Sequence, residues 1–321
     1  MLLKEHENSS DVASGLQLVH LSDPHLTSLK GIAWSELTNK RILGYLSWLT
    51  TRKRSHQARV LQALLNDLQA LCPDHIAITG DLTHIGTGGE YREVRRWLAE
   101  LGPPDKVTII PGNHDQYVRT NWSETLQHWL PYLRDETPED HECRFPVVRC
   151  RGSIAIISLS SAEPTLPFMA TGRIGKAQLQ RLDTLLADLA NRNMFRVVLL
   201  HHGPVPGSES YRRRLVDGGD LISILKHRGA ELVLHGHGHR NTENCIRTLA
   251  LDIPIFGVAS ASSISNRTNR NATYNLFNIS RQPAGWGINL SLRTYSPQTN
   301  SFVSGIPRDI IFRQGGETVS L

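Results

Sequence analysis

Asp23 and His25 stand two positions apart, as do His237 and His239, and each pair is of the kind that closes on one metal ion. Three further segments carry related donors: Gly80-Asp81, Asn113-His114-Asp115 and His201-His202. At the end of an extended strand, residues spaced by two project to the same side and can reach a common ion. Gly80 lets the backbone turn tightly beside Asp81, and the two oxygens of one carboxylate can bridge two cations. Asn113 adds a neutral carbonyl oxygen. Carboxylate, imidazole and amide donors without thiolate suit manganese, iron, zinc or cobalt better than calcium or magnesium, which favour all-oxygen sites. The expectation is a pair of divalent transition-metal ions.

Two such ions, the carboxylates of Asp23 and Asp81 and one shared hydroxide keep a positive balance of about one charge, for which a phosphoryl oxygen is the natural guest. Paired metals about 3.5–4 Å apart generate a hydroxide nucleophile and clamp the transition state of an in-line displacement at phosphorus. The reaction expected is hydrolysis of a phosphodiester or pyrophosphate bond.

Each of the five loops follows a short apolar run, at 16–21, 75–79, 107–110, 197–200 and 232–234. Strands that end on one edge of a sheet bring their loops to one place, where open α/β folds bind ligands. Helical stripes lie between them: Val60, Leu61, Leu64, Leu65, Leu68 and Leu71 in 54–71, then Val94, Trp97, Leu98 and Leu101 in 89–101, and Leu179, Leu182, Leu185, Leu186 and Leu189 in 176–190. Pro73 ends the first, and Gly102, Pro103 and Pro104 end the second. Segments 122–133 and 220–227 also read as helices, 144–150 and 153–160 as a hairpin around Arg151 and Gly152, and 253–258, 273–279 and 287–292 as short strands. The alternation predicts two packed sheets of mixed direction with helices outside, the closing strands completing the second sheet.

In this order, Asp23-Pro24-His25, Gly80-Asp81, Gly112-Asn113-His114-Asp115, His201-His202 and Gly236-His237-Gly238-His239 resemble the full signature of the bacterial calcineurin-like metallophosphoesterases, from about Leu16 to Arg240. The resemblance implies an α/β fold, a four-layer αββα sandwich of two mixed β-sheets flanked by helices. It implies that Asp23, His25, Asp81 and His239 hold a first metal, and Asp81, Asn113, His201 and His237 a second, with manganese the expected ion. Spacing alone leaves His201 and His202 both open as the ligand; the resemblance selects His201. It also assigns His114 to the phosphate and to protonation of the leaving oxygen, with Asp115 orienting it. His20, His84 and His235 read as hydrogen-bonded structural residues. Arg119, Arg173 and Arg240 read equally as phosphate-reaching forks or as solvated surface groups.

The chain has 321 residues, 39% hydrophobic and 20% charged, the makeup of a globular protein with a sizeable core. One metallophosphoesterase domain is expected over 16–312, after a flexible arm at 1–15 and before a loose polar tail at 313–321. The arm lacks the basic start and apolar stretch of a secretory signal, and no apolar run approaches the roughly 20 residues that span a bilayer. Four cysteines without a CxxC pair do not make a disulfide framework, although Cys143 and Cys150 could meet across a turn. These features point to the cytoplasm. The formal charge of +5 favours anionic partners.

Segment 29–59 interleaves Ile32, Trp34, Leu37, Ile42, Leu43, Tyr45, Leu46, Trp48 and Leu49 with Lys30, Lys40, Arg41, Arg52, Lys53, Arg54 and Arg59, directly after the first metal loop. A basic, aromatic, amphipathic insertion beside a site lies on an anionic membrane surface or covers an acyl chain, or packs as a helix on the fold. It loosely resembles the insertion of the family branch that cleaves UDP-2,3-diacylglucosamine. The leading expectation is therefore a phosphorylated lipid-linked or nucleotide-linked substrate, with peripheral contact at the inner membrane surface through 29–59. The alternative is a soluble cyclic-nucleotide (cAMP) phosphodiesterase, which the motifs resemble equally. A nonenzymatic metal-binding scaffold or a nucleic-acid binder is the reading of another class; retention of every candidate ligand argues against a scaffold, and nucleic acid is not the expected partner. The sequence leaves the oligomeric state open.

Overall fold

Along the chain the elements run β1 (Leu16–Leu21), α1 (Arg41–Ser47), α2 (Ala58–Leu71), β2 (His75–Ile78), α3 (Gly88–Leu101), β3 (Val107–Ile109), α4 (Leu130–Leu133), β4 (Val147–Arg151) and β5 (Ile154–Ser158). Next come α5 (Lys176–Asn191), β6 (Phe195–Leu199), α6 (Gly218–Arg228), β7 (Leu232–His235), β8 (Thr242–Ile246) and β9 (Ile253–Gly257). The chain closes with β10 (Thr273–Gln282), β11 (Gly285–Ser296), β12 (Ser301–Ser304), β13 (Arg308–Arg313) and β14 (Thr318–Ser320). This is a computed structural model, and it describes residues 15–26, 29–52, 56–134, 143–248, 252–265, 267–283, 285–313 and 318–320.

Strands β1, β2 and β3 pair in parallel, with Leu18 opposite His75 and Ile76 opposite Val107. Parallel strands this apolar must be covered on both faces. The stripes of α2 (Val60, Leu64, Leu68) and α3 (Val94, Trp97, Leu98) cover one face. The other face meets a second sheet ordered β4-β5-β6-β7-β9-β8, where Phe256 packs on Phe277 at 5.5 Å between ring centroids and Phe195 on Trp286 at 5.1 Å. The outer face of that second sheet has its own core, with Leu179, Leu182, Leu186 and Leu189 of α5 and Leu221 and Leu225 of α6. The layers are α, β, β, α, and both sheets mix parallel and antiparallel pairs.

Two details differ from the sequence expectation. The closing strands extend the first sheet: β10 pairs antiparallel with β1, and the order is β14-β13-β11-β10-β1-β2-β3, with β12 on β11. In the second sheet β9 pairs with β7 and is itself edged by β8, so the closing strands do not extend that flank and pair with β1 instead. Segment 122–133 is not one helix but two 3-10 turns, Trp122–Glu124 and Leu126–Trp129, followed by α4. Thr125 breaks it, since its hydroxyl bonds back to Asn121 O at 2.9 Å and its backbone leaves the helical region. Thr318–Ser320 pairs antiparallel with β13. The arm at 1–15 lies, apart from Gly15, outside the described residues. All four cysteines are free thiols, and no helix among the described residues is long and apolar enough to cross a membrane.

Candidate dimetal centre

The five donor loops leave the carboxyl ends of β1, β2, β3, β6 and β7, which run parallel within their sheets and deliver them to one edge. The two sheets are tied together there: Ser22, just past β1, bridges Ser260, and Ala261 N donates to Ser22 O at 2.9 Å. Asp23, His25, Asp81, His237 and His239 all have positive φ, between 42° and 65°. Left-handed backbone at non-glycine residues is uncommon and collects at functional sites. It is needed here because each loop doubles back at once to aim its side chain across the strand ends. Gly80 (φ +94°) goes further: a Cβ there would lie 2.7 Å from both Gly112 N and His201 Nδ1. At Gly236 a Cβ would run into Ser22 Oγ.

The donor atoms expected from the motifs form two groups, each within 4.8 Å: Asp23, His25, Asp81 and His239, and His201, His202 and His237. Asp23 Oδ1 lies 3.1 Å from His239 Nε2, and Asp81 Oδ2 lies 3.3 Å from His201 Nε2 and 4.0 Å from His25 Nε2. Asn113 Oδ1 is 3.2 Å from His201 Nε2, which brings it to the second group. Backbone carbonyls fix the rings: His25 Nδ1 donates to Thr83 O at 2.8 Å and His201 Nδ1 to Thr79 O at 2.6 Å, leaving Nε2 of each ring aimed inward. His202 Nδ1 bonds Ser161 Oγ at 2.8 Å.

The test of fit for metal is what these atoms lack. Asp23 Oδ1, His25 Nε2, His202 Nε2 and His237 Nε2 are buried without a hydrogen-bond partner, an arrangement that costs free energy unless a cation takes the lone pairs. Burial, followed by neighbouring imidazoles, holds His25 and His237 well below the usual histidine range, so they are neutral donors. Burial also lowers His201, but Asp81 beside it outweighs this and holds it up to about 9. Burial would raise Asp81, yet His201 and His114 pull it well below the ordinary carboxylate value. The Asp81 and His201 pair thus holds opposite charges where the sequence expects a cation, and the residues fit the group.

His114 and Asp115 are placed differently from each other. The backbone N–H of His114 donates to Asp81 Oδ1 at 2.8 Å, and its ring Nδ1 donates to His84 O at 2.5 Å. The expected orienter, Asp115, turns its carboxylate elsewhere. Oδ1 accepts from Thr83 N at 2.9 Å and Thr83 Oγ1 at 3.0 Å, and Oδ2 from Gly112 N at 2.9 Å and Leu82 N at 3.2 Å. A short carboxylate beside four donors ties down loops rather than an imidazole. Burial and the charge of Asp81 push it up to about 7 against those backbone hydrogen bonds. Glu90, at the third position of α3, closes a capping box with Thr87 and accepts from His84 N at 2.6 Å, fixing the carbonyl that holds His114. His20 and His235 are buried and hydrogen-bonded, to Thr79 Oγ1 at 2.9 Å and Gly236 O at 3.1 Å.

A cleft of about 740 Å³ opens on Asp81, Asn113, His114, His237 and His239. Its cationic groups are Lys40, Arg213 and Arg270, with Tyr117 and Phe168 as aromatic walls. Apart from Lys40, which belongs to the basic insertion, none of these was singled out by sequence, because no motif or period marks them. Arg173 instead faces Glu163 at 3.8 Å and Arg240 pairs with Glu209 at 2.9 Å; neither they nor Arg119 line the cleft. His56, at the end of the insertion, also lines it and joins His25 and His239 in a third donor group. Within the insertion, Trp48 is buried with Leu29, Leu37 and Ile85, and α1 packs Gly44 against Ile85 and Tyr117. Trp34 is 78% exposed, and Ile42, Leu46 and Leu49 are also exposed. The segment is therefore packed on one side and bare on the other.

Residues 16–241 match the family model for calcineurin-like phosphoesterases. The chain is 30% identical over 181 residues to a probable cyclic nucleotide phosphodiesterase of Synechococcus sp., covering 56% of this chain and 62% of that protein. It is 26% identical over 228 residues to the glycerophosphodiester phosphodiesterase GpdQ of Enterobacter lignolyticus, covering 70% and 71%. The fold is similar to that of a dimetal phosphatase from Danio rerio, with a TM-score of 0.54 at 11% identity over 90% of this chain and 98% of that one.

Proposed function

The chain belongs to the calcineurin-like phosphoesterase family, and on that premise we propose that it hydrolyses phosphodiesters of nucleotide size, with cyclic nucleotides as the leading substrate class. Asp23, His25, Asp81 and His239 would hold one divalent transition-metal ion, manganese first, and Asp81, Asn113, His201 and His237 the other. The pair, when bound, supplies activation of water and neutralisation of charge for in-line displacement at phosphorus. Asp81 reaches both donor groups and is the residue that would bridge them. With Nδ1 committed to His84 O, His114 meets the substrate through Nε2 and, as imidazolium, passes that proton to the leaving oxygen. Asp115 acts one step back, holding the loops that carry Asp81 and His114 in register.

The observation that carries the substrate reading is the cleft itself. About 740 Å³ suits a nucleotide-sized ligand. Arg213, Arg270 and Lys40 offer cationic contacts to a phosphate, and Tyr117 and Phe168 offer faces for a flat ring. A diacylated substrate calls for a long apolar groove under the insertion, but Trp48 is packed inward against Ile85 and does not line the cleft. A second reading, a lipid-linked diester or pyrophosphate taken from a membrane face, rests on the exposed Trp34, Ile42, Leu46 and Leu49. A panel of a phosphomonoester, a bis-ester, cAMP and UDP-2,3-diacylglucosamine, run on manganese-reconstituted protein with products identified, tests both. Turnover of cAMP above the others supports the leading reading. Preference for the diacylated substrate, lost in Trp34→Ala but kept for cAMP, replaces it with the second.

A further inference from the structure

We propose that His56, delivered by the 29–59 insertion, is an additional ligand of the metal held by Asp23, His25, Asp81 and His239, a role that rests on the dinuclear reading above. Its donor atom and those of His25 and His239 lie within 4.8 Å of one another. Its ring centroid is 4.6 Å from that of His25 and 5.8 Å from that of His239. Two imidazole nitrogens on opposite sides of one ion are about 4.2 Å apart, twice the usual metal–nitrogen distance. The three rings therefore stand close to the spacing that one ion demands.

A chain of hydroxyls favours one nitrogen of His56 as the carrier of the lone pair. Ser260 Oγ donates to Asp23 O at 2.7 Å, and a carbonyl can only accept, so the one hydroxyl proton of Ser260 is committed there. Ser262 Oγ, 3.3 Å from Ser260 Oγ, can then only be the donor in a hydrogen bond between the two. Its lone pair is left to accept from His56 Nδ1 at 2.6 Å. The reverse direction would leave Ser260 Oγ, 3.3 Å from Ser262 Oγ and 3.4 Å from His56 Nδ1, with a hydrogen from neither. His56 accordingly keeps its proton on Nδ1 and its lone pair on Nε2, the tautomer a metal requires. The same chain ends on the backbone of Asp23, itself a candidate ligand of that ion. The backbone holds the ring in register, since His56 bridges Ser263 and Gln57 N donates to Ser262 O at 3.2 Å.

The consequence is chemical. Three imidazoles with two carboxylates make this position richer in nitrogen than its partner, which moves its preference from manganese toward cobalt, nickel or zinc.

The test is calorimetric titration of the chelator-stripped full chain with Co²⁺, alongside the visible ligand-field spectrum, for the wild type, His56→Gln and Ser262→Ala. Wild-type uptake of two ions is the condition of the dinuclear reading, and uptake of one or none overturns that reading and this one with it. Given two, His56→Gln is expected to weaken one dissociation constant by about tenfold or more, leave the other unchanged and move the band to lower energy as imidazole gives way to water. Ser262→Ala, which keeps the ring and removes its anchor, is expected to weaken the same constant by less. Two unchanged constants with an unchanged spectrum in His56→Gln overturn the proposal. Equal weakening of both constants with a lowered melting temperature of the stripped protein overturns it too, by assigning His56 to the fold.

Discussion

Oδ1 of Asp115 takes both the backbone N–H and the hydroxyl of Thr83, at 2.9 and 3.0 Å. Its other oxygen takes Gly112 N and Leu82 N, so one carboxylate ties the loop after β2 to the loop after β3. Asp115→Asn puts an amide NH₂ against backbone donors and leaves buried N–H groups unpaired. The expected cost is about 1–3 kcal/mol of stability, read from urea unfolding, together with weaker metal uptake. Unchanged stability and metal content with turnover abolished would instead make Asp115 a participant in the reaction.

Removing metal should be felt by the whole fold. Asp23 Oδ1, His25 Nε2 and His237 Nε2 are buried without partners, and an ion that binds only the native state adds about 2.7 kcal/mol at a hundredfold excess over its dissociation constant. Manganese is expected to raise the melting temperature of chelator-treated protein, and Asp81→Asn to abolish the rise because both donor groups lose their shared carboxylate. A wild-type melting temperature indifferent to manganese would count against the seven-ligand assignment.

His75 gives a pH dependence far from the site. It is buried, 2.7 Å from Thr108 Oγ1, and burial, then the charges of Arg151 and Arg149, push it down from 6.5 to about 3. Between those values the unfolded chain binds one more proton than the folded one. The contribution is therefore whole above 6.5 and is lost as pH falls, by about 1.4 kcal/mol per unit. Urea midpoints from pH 7 to 4 should fall less steeply in His75→Gln than in the wild type. Identical slopes would show that this histidine is not kept neutral.

The convergence of these side chains was legible because metal chemistry restricts residue types, and apolar runs announce the strands before each loop. The seven residues expected as ligands lie near one another. Sequence was silent where position is set by long-range packing. Nothing local shows that β10 pairs with β1, since an edge accepts whichever strand the rest of the sheet brings to it. The positive φ at Asp23, His25, Asp81, His237 and His239 was invisible for a related reason: strain at a non-glycine residue is imposed by its surroundings. His56, Arg213 and Arg270 belong to no motif, and only the folded walls bring them to the cleft. The Trp-rich insertion read as a single amphipathic unit, whereas burial divides it, with Trp48 inside and Trp34 out.

That division separates stability from recognition. Trp48 is only 4% exposed and packs among Leu29, Leu37 and Ile85, so Trp48→Ala should cost about 3–5 kcal/mol and reduce turnover of every substrate alike. Phe168 is the opposite case: its side chain is 77% exposed at the cleft and its φ is +64°, a conformation that disfavours a bulky residue by about 1–2 kcal/mol. Glycine there relieves the strain while deleting the ring. Phe168→Gly is expected to melt at or above the wild-type temperature yet show a raised KM for cAMP, with KM for a small aliphatic diester unchanged. The strain is then stability given up to hold an aromatic wall for a flat base. Equal KM changes for both substrates would remove Phe168 from recognition and leave its backbone conformation without a functional reason.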